Sequence, residues 1–468
     1  MFEMEERGKS ETVCLQSVTQ PDSLEANKDG SNNEDYDPHL YRQVTAPTNN
    51  LETLVHLLKC SLGTGILAMP QAFARAGLVT AIISTVLVGA LVTHCLHVLV
   101  RSQYAACKMR RVPLLTYPES MSASLSAGPS SLRGLGRPSA ITVDVFLVVY
   151  QLGICCVYIV FIADNIKKIV DPHYVMSIEI HMVIILIPLL AFNLIPSLKL
   201  LAPFSALANV LTFIGLGIVV YYLLSGKKSN EPLDLWGSPA TFPLFFGTIL
   251  FALTAVGVVI ALENNMKTPK AFGSPCGVLN TGMSIIVVLY VAVGALGYVY
   301  CVSECSDSVT LDLPQGPLAT SVISMFAIAI FISYGLHCYV PVEVVWRGYL
   351  LPWLQRSGSQ RLRLWEYALR ISLCLITFVL AIAIPRLGLF ISLFGALCLS
   401  ALGICFPAIM EICVSFPDKF GPGRIRLIKD VLLFLIGIVG LVAGTYTALL
   451  SIIRSFQPQP TEAQPLHA

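Results

Sequence analysis

Charge is scarce in this sequence. Asp, Glu, Lys and Arg supply 12% of its 468 residues and hydrophobic residues 55%, whereas ordinary soluble domains carry roughly 25% charged residues. The shortage excludes a water-soluble globular chain, because the apolar residues come in runs long enough to cross a hydrocarbon core of ~30 Å. Polybasic blocks are also missing, and the formal net charge is only +2, which excludes nucleic acid as a partner. No cysteine spacing of a metal or redox centre occurs. Of the fourteen cysteines, most lie in apolar runs (Cys60, Cys95, Cys155, Cys156, Cys338, Cys374, Cys398, Cys405), where Cys behaves as a small hydrophobe. Cys301 and Cys305 open a predicted outer loop, which leaves a local bridge between them open. Metal triads, nucleophile elbows and phosphate loops are absent, so the motifs point away from an enzyme and imply no cofactor. The opening residues lack a basic n-region followed by a short apolar stretch, so the expectation is no cleavable signal peptide, with the first span acting as the insertion signal.

What the sequence does contain is a series of spanning runs between two polar ends. Residues 1–50, rich in Ser, Asn, Asp and Glu, read as a disordered tail, and residues 456–468, with Pro458, Pro460 and Pro465, read the same way. Between them, residues 51–455 form a membrane domain with runs beginning near Leu51, Leu78, Ile141, Met176, Leu201, Pro243, Gly277, Pro317, Leu364, Leu387 and Leu427. The fold class is therefore an all-α polytopic membrane protein of about eleven transmembrane helices. Lys and Arg gather in alternate loops, at Lys108–Arg111, Lys267, Lys270, Arg347, Arg361 and Arg424, and the intervening loop 303–316 carries Glu304, Asp307 and Asp312 without a cation. By the positive-inside rule this places the N-terminus in the cytosol. No glycosylation sequon falls in an outer loop. Tyr41-Arg-Gln-Val44 resembles a tyrosine-based endosomal sorting signal.

The first span holds Ser61-Leu-Gly-Thr-Gly65 at its centre. Two glycines around a threonine weaken a helix, and a broken helix in lipid is tolerated only where its freed N–H and C=O groups line a cavity or meet a polar ligand. Freed N–H groups suit a carboxylate and freed carbonyls an ammonium, and a zwitterionic amino acid presents both. Gly63, Thr64, Gly65 and Ser61 are thus candidate substrate-binding residues; close helix packing is the alternative reading of the glycines. His56 precedes Gly63 by seven residues, on nearly the same face, and Glu52 lies one turn before it, a pairing suited to proton handling. In the sixth span, Ala252, Thr254 and Ala255 mark a second candidate interruption, five spans from the first, as two five-helix halves of inverted topology require. Tyr150 and Gln151 in the third span offer hydroxyl and amide contacts. Glu263 and His337 are candidate gates near the inner ends of their spans.

Leu57-Leu-Lys, Gly63-Thr-Gly65, Gln151-Leu-Gly, Cys155-Cys-Val-Tyr158, Ala163-Asp-Asn165, Pro243-Leu-Phe-Phe-Gly-Thr248, Leu262-Glu-Asn264 and Tyr339-Val-Pro341 together resemble the proton-coupled amino acid transporter family, within the amino acid/auxin permease superfamily. The resemblance runs collinearly from about Leu51 to Tyr446. It implies a LeuT-type 5+5 inverted repeat plus one helix, and proton-driven symport of small neutral amino acids such as glycine, alanine and proline. It also implies a plasma-membrane or lysosomal address, membrane lipids and growth-signalling proteins as partners, the proton as coupling ion, and a role in proton coupling for His56. Thr254 stands where the family commonly has Glu, and a cysteine pair that some members bridge is absent here. The rival to a transporter is an amino-acid-sensing transceptor with little net flux.

Overall fold

The computed structural model describes residues 36–44, 47–195, 198–226, 231–253, 256–358, 361–384, 386–417 and 420–457. Residues 1–35 and 458–468, most of the two expected tails, lie outside them, as do Thr254 and Ala255. The described residues are helical apart from loops and one isolated bridge between Thr48 and Met266.

The first span is interrupted where the sequence weakens it. Helix α1 (Asn50–Ser61) opens in a capping box: the Asn49 side chain accepts the Glu52 N–H at 2.9 Å, and the Glu52 carboxylate accepts the Asn49 N–H at 2.9 Å, satisfying two otherwise orphaned donors. It stops when Leu62 turns to ψ 82° and Gly63 to φ −132°, ψ −146°. The chain resumes as α2 (Thr64–Leu67) and α3 (Met69–Ala76), with Pro70 in the first turn of α3, where a missing N–H costs nothing.

The remaining elements are α4 (Leu78–Arg110), α5 (Tyr117–Ala127), α6 (Gly136–Val170), α7 (Ile178–Asn193), α8 (Leu198–Ser225), α9 (Phe242–Leu253), α10 (Val256–Asn264), α11 (Val278–Cys301), α12 (Pro317–Arg356), α13 (Leu362–Ala383), α14 (Leu387–Ser415) and α15 (Ile425–Ser455). Among the described residues nine helices are long and apolar enough to cross a membrane, with α9 and α10 counted together as Phe242–Asn264, and α7 is a shorter apolar one. Together with the interrupted first segment they stand close to the expected starting points. The division near Arg386 is real, since α13 ends at Ala383 and α14 begins at Leu387. Cys301 and Cys305 are disulfide-bonded.

Contacts between elements fix the centre of the bundle. Helix α1 packs on α10, and α2 and α3 pack on α9, so the first and sixth spans run antiparallel side by side. Helix α11 runs parallel to the first span: Leu57 lies over Gly282, Pro70 over Gly297 and Phe73 over Gly294. On the other flank α6 packs against α12, and α9 against α14. Helices α9 and α14 approach so closely that a Cβ on Gly395 would lie 1.9 Å from the Gly247 carbonyl oxygen.

Candidate functional site

The break at Leu62 and Gly63 sits inside the bundle, not on its rim. Thr64, Gly65 and Ile66 are buried. A Cβ on Gly65 would lie 2.8 Å from the Ala252 Cα, so α2 and α9 touch main chain to main chain there. The Ser61 hydroxyl bonds back to the Leu57 carbonyl at 3.1 Å, which leaves the Ser61 carbonyl, rather than its side chain, facing the break. Helix α11 delivers Tyr290 to this level. Its hydroxyl donates to the Ser61 carbonyl and reaches the Ala252 carbonyl at 3.0 Å.

Helix α6 closes the other side. The Tyr158 hydroxyl stands 3.9 Å from where a Gly63 Cβ would be. The Tyr158 ring meets the His337 ring edge to face at 5.4 Å, and His337 Nδ1 lies 2.7 Å from the Gln151 Oε1. With the amide oxygen accepting, Nδ1 carries the hydrogen and Nε2 keeps a lone pair. Tyr150 is buried and packs edge-on against Phe251 at 6.3 Å. Phenols, an amide and an imidazole therefore surround the break, and among the side chains named here none is a carboxylate, ammonium or guanidinium.

Of the candidate residues, the structure brings together Ser61, Gly63, Thr64, Gly65, Ala252, Tyr150 and His337. Thr254 and Ala255, and with them the expected second interruption, lie outside the described residues. Glu52 stands apart, on the exposed first turn of α1, where it closes the helix cap. His56 is half-buried on the same helix, between the cap and the break. Tyr290 was not singled out by sequence reasoning, and Tyr158 only as the end of the Cys155-Cys-Val-Tyr158 motif, because a tyrosine in an apolar run reads as ordinary core or interface.

Glu263 forms a closure on the face that carries the N-terminus. Arg42 grips it through two bonds, Nη1 to Oε1 at 3.0 Å and Nη2 to Oε2 at 3.1 Å, with its Nε donating to the Pro113 carbonyl at 3.3 Å. His39 Nε2 lies 3.3 Å from the same carboxylate. The surrounding segment is tied in several places. Lys270 pairs with Asp37 at 3.0 Å, Tyr104 donates to Asp37 at 3.2 Å, and the main chain of Thr48 exchanges bonds with Asn265 and Lys267 at 2.9 Å. Residues 36–44 and 47–49 thus pack as a strap across the ends of α4 and α10, where composition pointed to an unstructured tail. Burial acts to raise the Asp37 carboxyl, but the Lys270 ammonium, the His39 N–H and the Tyr104 hydroxyl outweigh it and hold the group below its ordinary value. A carboxylate with a depressed pKa keeps its charge as pH falls, so the tie at Asp37 survives mild acidity and is lost only below the usual carboxylate range.

The opposite face is closed by different groups. Gln71 on α3 donates to Asp307, whose other oxygen accepts the Gly388 N–H at the start of α14 at 3.0 Å. Arg75 donates to the Ser392 hydroxyl at 3.1 Å, and Ser392 meets Thr248 of α9 at 2.9 Å. Asp307→Ala removes the acceptor that joins α3 to α14. Stability is expected to fall by about 1–3 kcal/mol, with amide exchange rising around residues 71–76 and 387–392; unchanged exchange there would show that Asp307 does not hold this face shut.

The chain matches the family described as transmembrane amino acid transporter protein over residues 46–450. It is 37% identical over 428 residues to the proton-coupled amino acid transporter-like protein pathetic of Drosophila melanogaster, covering 90% of this chain and 89% of that protein. It is 28% identical over 410 residues to the amino acid transporter AVT3A of Arabidopsis thaliana, covering 86% and 90%. An interrupted first span held between antiparallel and parallel partners, in an all-helical membrane bundle that matches this family almost end to end, places the chain in the transmembrane amino acid transporter family.

Proposed function

We propose that the chain is a secondary active transporter that moves small neutral amino acids, of the glycine, alanine and proline type, across a membrane in symport with a proton. The observation that carries this reading is the break at Leu62 and Gly63, which presents main-chain polar groups inside a buried, uncharged surround. Contact between Gly65 and Ala252 leaves little depth for a long side chain, and the phenols and amide nearby offer no partner for a charged one. Proton coupling is supported by the name of the Drosophila relative and by two imidazoles, His56 toward the N-terminal face and His337 beside the break. The Cys301–Cys305 disulfide supports an N-terminus in the cytosol, since disulfides persist on the oxidising side of a membrane and this one lies at the end of α11 remote from the strap. The plasma membrane and the lysosomal membrane both satisfy that arrangement.

The test is purified protein in liposomes, an imposed pH gradient and a panel of labelled amino acids. Wild type is expected to concentrate glycine or alanine when the gradient is inward and to stop when it is collapsed. His56→Ala and His337→Gln are expected to keep downhill uptake while losing gradient-driven accumulation, because the proton acceptor is gone. Full pH dependence in either variant rules that imidazole out, and in both rules out imidazole coupling. A second reading, an amino-acid-sensing transceptor that signals to growth control, is favoured by the closures on both faces. It predicts that glycine or alanine raises the unfolding temperature without measurable flux.

A further inference from the structure

Tyr290 is fully buried and its hydroxyl stands between two main-chain carbonyls, those of Ser61, the last residue of α1, and Ala252 of α9. The final carbonyls of a helix have no partner within it. Ser61 receives one further donor, the Gly63 N–H at 3.2 Å. A phenol has a single hydrogen and serves two acceptors only by sharing it, whereas an ammonium has three hydrogens and serves both outright. Helix α11 is not part of either the first or the sixth span, yet it places the Tyr290 hydroxyl where those two spans face each other.

We propose that Tyr290 is an internal substitute for the amino group of the substrate. In the empty carrier its hydroxyl holds the Ser61 and Ala252 carbonyls, and when an amino acid enters, the ammonium takes them over and the phenol is released from them. This rests on the reading of the break as the amino acid site. It has a kinetic consequence. Net symport requires the empty protein to return through a closed state, and closing an empty site over carbonyls that have lost the donor bridging them is unfavourable. Exchange of one substrate molecule for another never visits that state. Tyr290 therefore supports the return step and not the loaded step.

The experiment compares net pH-driven uptake of glycine with glycine-for-glycine counterflow in liposomes, for wild type, Tyr290→Phe and Tyr290→Gln. Phe removes the hydroxyl and keeps the ring. Net uptake is expected to fall about tenfold, with counterflow within about twofold of wild type. Gln restores an N–H donor and is expected to recover net uptake to within about threefold of wild type, well above the Phe variant. Preserved counterflow also shows that the Phe variant is folded. Equal loss of both modes in Phe and Gln alike identifies Tyr290 as a merely structural tie or a direct substrate ligand and overturns the proposal, as does an unchanged ratio of the two modes. Absence of either mode in wild type is a different outcome, because it removes the transport reading itself and this inference with it.

Discussion

Gly65→Val is expected to abolish transport while leaving a protein that still inserts. A Cβ at residue 65 would lie 2.8 Å from the Ala252 Cα and 3.1 Å from its Cβ, and the atom nearest to it is main chain, which cannot swing aside as a side chain would. Overpacking of this kind costs about 1–3 kcal/mol and acts where α2 and α9 must stay in register for the Tyr290 hydroxyl to reach both the Ser61 and the Ala252 carbonyls. Uptake into liposomes should drop by about tenfold or more, with Gly65→Ala intermediate. The check is initial uptake rate beside thermal unfolding. A Val variant that transports normally would mean that the first and sixth spans do not hold the substrate between them.

The second large effect belongs to Arg42 and Glu263. Arg42 is 5% exposed and Glu263 3% in their side chains, and the guanidinium matches the carboxylate with two bonds. Removing one partner of such a buried pair leaves the other charge without its counterpart, at a cost of about 3–5 kcal/mol. Glu263→Gln should therefore release the strap, seen as rapid amide exchange through residues 36–44 and as a lowered unfolding temperature. Arg42→Met with Glu263→Gln should recover much of that loss, because no uncompensated charge remains buried, although the strap stays free. The two variants separate stability from closure: if the strap governs the N-terminal face, both should shift transport toward faster release on that side. Equal protection of residues 36–44 in wild type and Glu263→Gln would show that the strap is held by its other ties alone.

The spanning segments were legible because lipid demands apolar runs of a fixed length, and a chain with 12% charge shows its interruptions plainly. The break in the first span was legible for the same reason. A Gly-Thr-Gly sequence inside such a run weakens the helix, and the break falls at Leu62 and Gly63. The strap was not legible. Arg42 and Glu263 are 221 residues apart, and Arg42 sits in a polar stretch whose composition resembles disorder; only the docked geometry shows that a few residues of it are complementary to the end of α10. Tyr290 escaped for a different reason. Its run, Val278–Cys301, also contains Tyr298 and Tyr300, and nothing local distinguishes the tyrosine at the level of the break from those near the membrane boundary. Asp307 was read as one of several acids in an outer loop, and its role depends on Gln71 and Gly388, which arrive from two other spans. The second interruption, expected near Thr254, falls on residues outside the described ones.

Only Leu62 and Gly63 join α1 to α2. Each half of that segment is anchored by its own set of partners, one to the end of α10 and the other to Asp307 and its neighbours. The segment is consequently a pair of levers on one pivot, each with a latch of its own at its outer end, so loosening one latch leaves the other lever pinned.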